Sequence, residues 1–116
     1  MHLVPTDQAH RRVIDEAKVC EAIAALEDPE AIRGWAQRFS LVGDPTRLRL
    51  LLCIEAAGPV SVSDLAVATG LSDDHVSQSL RFMRASRAVE TERDGRVIRY
   101  RLCDQIIADL VATCRP

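Results

Sequence analysis

Leu65-Ala-Val-Ala-Thr69-Gly70-Leu71-Ser72-Asp-Asp-His-Val76-Ser-Gln-Ser-Leu80 carries the fold assignment. Gly70 separates two helical periodicities. Before it, Ser61 is placed to cap a short helix containing Asp64, Leu65 and Ala68. Gly70 closes that helix, because glycine enters the left-handed region without a Cβ penalty. After it, Ser72 caps a second helix from Asp73 to about Ser86, with Val76, Leu80 and Met83 spaced to point inward. Two short helices joined by a tight turn, Thr69-Gly70-Leu71-Ser72, define a helix-turn-helix.

Downstream the period changes from 3.6 to 2. Residues 88–92 and 97–102 read as two strands, and Arg93-Asp94-Gly95-Arg96 between them carries the Asp-Gly hairpin signal. A hairpin directly after the second helix is a wing. Upstream, helices are expected from about Asp7 to Leu26, with Val13, Ala17, Cys20 and Ala24 on one stripe, and over about 29–41, with Ile32, Trp35, Ala36 and Phe39 on its apolar side. A third is expected over about 45–57, where Asp44 caps and Pro45 takes the first position. That third helix is apolar nearly all round and should be central. A last helix spans about Asp104 to Cys114. The fold class is mainly α with a β-hairpin wing, a winged helix-turn-helix. Residues 1–28 are expected to form an N-terminal helical extension, and residues 29–116 the winged helix-turn-helix domain.

Composition narrows the function. The formal net charge is −2, which by itself does not suggest nucleic acid. Its distribution does. Residues 1–31 hold three basic and seven acidic residues, whereas residues 75–101 hold seven arginines against Glu90, Glu92 and Asp94. A basic segment in an acidic chain is a local electrostatic footprint. The only aromatics are Trp35, Phe39, Phe82 and Tyr100, too few for stacking single-stranded bases. No apolar run approaches a membrane span, and Met1-His2-Leu3-Val4-Pro5 does not read as a secretory signal, so a cytoplasmic location is expected. There is no nucleophile–base pair and no phosphate-cradling glycine loop, so an enzyme is not expected.

On the second helix of the motif, His75, Ser77, Gln78 and Ser79 lie near the N-terminus, where short polar groups suit base edges in the major groove. Arg81 and Arg84 follow and suit phosphates. Arg93 and Arg96 occupy the wing tip, where Arg96 is placed for a minor groove or a phosphate. Asp73 and Asp74 favour the positive end of the helix at some electrostatic cost to DNA binding.

The segment Leu41-Val-Gly-Asp-Pro-Thr-Arg-Leu-Arg-Leu-Leu-Leu52, then Val62-Ser-Asp-Leu-Ala66, Val76-Ser-Gln-Ser-Leu-Arg81, Asp94-Gly-Arg96 and Tyr100-Arg-Leu102, resembles the ArsR/SmtB family of bacterial repressors. The resemblance covers about residues 30–114. It implies a homodimer held by the first and last helices, occupancy of a pseudo-palindromic double-stranded operator, and release when a metal ion binds or the protein is oxidised. It places base reading on Ser77, Gln78 and Ser79 and the wing contact on Arg96.

The sensor positions depart from that pattern. Where one branch has Cys-x-Cys, this chain has Ser61 and Ser63. Where another has Asp-x-His, it has Asp104 and Ile106. What it offers is Cys20, Cys53, Cys103 and Cys114, with no C-x-x-C pair. Cys103 and Cys114 share a helix face to within about 20° but lie roughly 16 Å apart, too far for one ion. Any shared site needs another element, and Cys20 on the first helix is the candidate. Cys103 at a helix N-terminus is placed for thiolate. Cys20, Cys103 and Cys114 are therefore candidate ligands for a thiophilic ion, Cd(II), Pb(II), Zn(II) or As(III), with His2 and His10 as additional nitrogen donors. Cys53, among Leu50, Leu52 and Ile54, reads first as a small buried hydrophobe. Two alternatives stay open: a repressor sensing oxidants or reactive sulfur, for which Cys53 and Cys114 resemble a third branch, and a winged-helix protein-interaction module.

Overall fold

The computed structural model describes residues 5–8 and 11–115. After a 3-10 turn at Thr6–Gln8, the order is α1 (Glu16–Ala24), α2 (Pro29–Val42), α3 (Pro45–Ala57), β1 (Val60–Ser61), α4 (Val62–Thr69), α5 (Asp73–Ala85), β2 (Val89–Asp94), β3 (Val97–Leu102) and α6 (Gln105–Thr113). The chain divides into two compact units, residues 1–37 and 38–116.

In the first unit α1 starts at Glu16, not near Asp7. Asp15 is the reason: its backbone is extended and its carboxylate accepts from the Lys18 N–H, which fixes it as the N-cap. Val13, expected on the helical stripe, therefore lies before the helix and is exposed. α1 has no buried residue, although Val19, Cys20 and Ile23 are half-buried. Asp28 caps α2 by accepting from the Ala31 N–H at 3.0 Å, and Pro29 takes the first turn. Leu26, Ile32 and Trp35 remain substantially exposed.

The second unit is built around α3. Asp44 caps it through the Arg47 N–H at 3.0 Å, with Pro45 in the first turn. Leu50, Leu51 and Ile54 are buried against Leu65 of α4, Val76, Leu80 and Met83 of α5, and Ile107 and Val111 of α6. Each such side chain contributes about 1.5–3 kcal/mol by leaving water. Cys53 is half-buried and packs on this core, in keeping with its reading as a small hydrophobe.

The helix-turn-helix forms as the sequence indicates. Ser61 caps α4 and Ser72 caps α5, each hydroxyl accepting from the amide three residues on. Gly70 is left-handed, with φ 75°. Buried Thr69 secures the turn: its hydroxyl donates to the Leu65 carbonyl at 2.7 Å and accepts from the Leu71 N–H at 3.3 Å.

The wing departs from expectation in two ways. First, β2 runs to Asp94, which pairs with Val97, so the loop is Gly95-Arg96 alone. Gly95 has φ 62° and Arg96 does not have positive φ, the pattern of a type II′ connection, with glycine at the first central position. Second, β1 adds a third strand. It pairs antiparallel with β3, Val60 opposite Tyr100 and Ser61 opposite Arg99, giving the order β1-β3-β2. Two residues are too few to show a period of 2.

Asp104 caps α6. Among the described residues no helix is long and apolar enough to cross a membrane.

Candidate nucleic-acid interface

Helix α5 turns Val76, Leu80 and Met83 into the core. At 100° per residue the opposite side is the line Asp74, Gln78, Arg81, with His75 and Phe82 to one flank and Ser77 and Arg84 to the other. Accessibility agrees: His75, Gln78, Arg81 and Arg84 are exposed, whereas Ser77 and Ser79 are half-buried. Of the three residues expected to read bases, Gln78 is the outward one. Ser77 and Ser79 bracket it on opposite flanks, because residues two apart on a helix cannot share a face.

The hairpin register sorts the wing by face. Val89, Thr91 and Arg93 stand opposite Leu102, Tyr100 and Ile98, and the inner part of this face joins the core. The other face alternates Glu90, Glu92 and Asp94 with Arg101 and Arg99. Arg101 pairs with Glu90 and lies 3.7 Å from Glu92, and Arg99 pairs with Asp94 at 3.1 Å. Two of the seven arginines between residues 75 and 101 are thus neutralised locally.

Arg81, Arg84, Arg93 and Arg96 are different. All four are exposed, and none has a hydrogen-bond or ion-pair partner among the described residues. They are the four arginines that the sequence singles out for DNA. Each is a solvated cation held on a rigid helix or hairpin, the arrangement that phosphate recognition uses.

Three arginines outside the expected set matter to this surface. The Arg47 guanidinium lies 4.6 Å from the centroid of the half-exposed Phe82 ring. Its Nε donates to the Leu41 carbonyl at 2.9 Å and a terminal nitrogen to the Ser40 carbonyl at 3.2 Å. Arg49 donates to the Thr69 carbonyl at the end of α4. Arg87 adopts φ 61°, alone among the described non-glycine residues. It closes α5 in a Schellman motif, its N–H donating to the Arg84 carbonyl and that of Ala88 to Met83. No periodicity signals these roles. Only the seven-residue spacing of Arg47 from Ser40 across Asp44-Pro45 hints at the first.

The cysteines are dispersed. Cys103 precedes the cap of α6 instead of entering its first turn, and its Sγ–H donates to the Arg87 carbonyl at 3.2 Å. Cys114 is the C-cap of the same helix, its Sγ–H donating to the Leu110 carbonyl at 3.4 Å. Both are exposed. They flank a nine-residue helix about 14 Å long and cannot share an ion. Asp104 is fully engaged: Oδ1 accepts from the Ile106 and Ile107 amides, and Oδ2 from the Arg38 Nε at 3.2 Å. Cys20 is half-buried in the first unit. Among the described residues no group of three or more His, Cys, Asp or Glu side chains could hold a metal. His2 and His10, like the Met1–Val4 segment, lie outside the described residues.

A three-helix HTH unit followed by a stranded wing is a winged helix-turn-helix. Residues 44–91 match the family described as bacterial regulatory protein, arsR family. The "Transcriptional repressor SmtB homolog" of Synechocystis sp. is 40% identical over 75 residues, covering 65% of this chain and 56% of that protein. The chain therefore spans little more than half of that relative. The "HTH-type transcriptional regulator NmtR" of Mycobacterium tuberculosis is 36% identical over 84 residues, covering 72% of this chain and 69% of that protein. Among solved structures, the "AntR antimony-specific transcriptional repressor" superposes with a TM-score of 0.62 at 25% identity, covering 97% of this chain and 89% of that one. The chain belongs to the ArsR/SmtB family.

Proposed function

We propose that this protein is a dimeric transcriptional repressor that binds double-stranded operator DNA through α5 and the wing and leaves it when a thiophilic metal or metalloid binds its cysteines. The observation that carries DNA binding is the set of four exposed, unpaired arginines, Arg81, Arg84, Arg93 and Arg96, around Gln78. Their charge is uncompensated in a chain whose net charge is −2, and phosphates are the anions that their spread along a helix and a hairpin suits. The repressor relatives support the regulatory reading.

A homodimer is supported by the apolar side chains that α2 leaves at the surface. Ile32, Trp35 and Phe39 are 43%, 43% and 55% exposed, well beyond what a monomer's helix face needs to present. Residues 1–28 act in this reading as the extension that completes the dimer, together with α6. The inducer ligands are drawn from Cys20, Cys103 and Cys114. The chemistry of thiolates selects Cd(II), Pb(II), Zn(II) or As(III), and the antimony-specific relative supports a soft ion.

The test is a gel-shift titration of the protein against DNA from upstream of its own gene, with each of the four ions added in turn. Retarded DNA released by at least one ion, with release lost on replacing Cys20, Cys103 and Cys114 by serine, is the expected result. Retardation unaffected by all four ions removes the metal-sensing half of the reading. Absence of salt-dependent retardation removes the DNA half and leaves a protein-interaction module. Exposure of Cys103 and Cys114 favours thiol oxidation as the second reading. Mass spectrometry after mild oxidant or persulfide treatment, combined with the same gel shift, decides it.

A further inference from the structure

Arg47 joins three elements within the second unit. It is on the first turn of α3. Two of its nitrogens hold the Ser40 and Leu41 carbonyls, which as part of the last turn of α2 have no intrahelical partner. Its guanidinium carbon then lies over the Phe82 ring, 4.6 Å from the centroid, on the flank of α5 beside the Gln78–Arg81 line. Phe82 is half-exposed and outside the buried core, so this contact does something other than complete the core. It secures the outer edge of α5, whose inner edge is already fixed by Val76, Leu80 and Met83. A helix held on one edge can still roll about its axis. A second contact off that axis stops the roll.

We propose that Arg47 is a positioning residue for DNA reading, setting the roll of α5 through Phe82 and tying it to the end of α2. This rests on the DNA-binding reading above. Arg47 acts through the recognition helix and contacts no base. Roll governs where Gln78 points, so the brace affects discrimination between sequences more than attraction to phosphates. It also means that displacement of the last turn of α2 is felt by α5 through one side chain. Lysine cannot replace arginine here, because a point charge cannot hold two carbonyls and lie over a ring together.

The experiment compares Arg47→Lys, Phe82→Leu and the double variant with the unaltered protein. Fluorescence anisotropy measures affinity for a duplex from the gene's own upstream region and for a scrambled duplex, at several salt concentrations. Hydrogen exchange of the 81–85 amides is followed without DNA. Each single variant is expected to lose about threefold to tenfold in affinity for the specific duplex, the range of a partly exposed cation–π contact. Affinity for the scrambled duplex and the salt slope should not change. The double variant should be no worse than either single one, and exchange at 81–85 should rise in all three.

Additive losses in the double variant, or equal losses on both duplexes, overturn the proposal. A flatter salt slope for Arg47→Lys also overturns it, since it makes Arg47 a phosphate contact. If the unaltered protein does not distinguish the two duplexes, the DNA-reading function fails. The brace is then still decided by exchange: unaltered exchange at 81–85 in Phe82→Leu refutes it.

Discussion

The four unpaired arginines lead to a quantitative expectation for salt. Each arginine that neutralises a phosphate releases condensed counterions, and the logarithm of affinity falls with the logarithm of salt by about 0.9 per phosphate. In the DNA-binding reading proposed above, Arg81, Arg84, Arg93 and Arg96 provide four such contacts per protomer, and a symmetric dimer doubles them. The slope is then about −7, and affinity should fall roughly 10⁴-fold between 50 and 200 mM salt. Replacing Arg96 by alanine removes two contacts per dimer and should flatten the slope by about 1.8. Replacing Arg99 by alanine should leave it almost unchanged, because that guanidinium is already paired with Asp94. Arg101, between Glu90 and Glu92, should behave like Arg99. Anisotropy titrations at four or more salt concentrations give each slope directly. The sorting of arginines into paired and unpaired sets is wrong if Arg99→Ala flattens the slope as much as Arg96→Ala does, or if Arg96→Ala leaves it unaltered.

Other outcomes follow from single residues. Gln78→Ala should weaken the specific duplex by about 1–3 kcal/mol and relax preference at one position per half-site, with the salt slope retained; competition against a panel of single-base variants measures this. Arg87→Gly should raise stability by about 1 kcal/mol, since it relieves a left-handed backbone at a residue with a Cβ. Arg87→Ala should give no comparable gain, so equal melting temperatures for the two variants at one protein concentration would assign the effect to charge instead. Asp104→Ala should cost about 1–2 kcal/mol in urea unfolding through loss of the α6 cap. Asp104→Asn, which keeps a capping oxygen and loses only the half-exposed Arg38 pair, should cost less than about 1 kcal/mol.

The parts of the fold that were legible in the sequence are those with local causes. Asp44-Pro45 before an apolar run, Ser61 and Ser72 before helical patterns, Gly70 between them and Asp104 before the last helix each act through bonds spanning a few residues. The observed caps stand at those positions. Misplacements came where two local signals competed. Val13 fits the stripe of α1, yet Asp15 captures the amide that starts the helix. Asp94-Gly95 reads as the turn, yet Asp94 has a strand partner in Val97 and the turn moves one residue on. β1 exists because β3 offers an edge, which no property of Val60-Ser61 reveals. At the candidate interface the arginines were visible as a cluster, but their division into neutralised and available cations depends on cross-strand register. The Arg47–Phe82 contact joins residues 35 positions apart, and no spacing rule reaches that far. The cysteine positions were equally visible, but the donation of Cys103 to the Arg87 carbonyl depends on how the end of α5 meets the end of β3.

The paired outer face of the hairpin has a consequence for how the molecule meets a polyanion. Its carboxylates cancel Arg99 and Arg101, so the hairpin's uncancelled positive charge is left at its tip, in addition to the arginines of α5, while the chain as a whole is negative. Such a body feels little net pull from a distant duplex but a strong torque when close. In the DNA-binding reading it turns its arginine side toward the groove. The gain expected from that reading is selectivity of approach: weak adhesion to unrelated anionic surfaces, with the encounters that persist being those already aligned for reading.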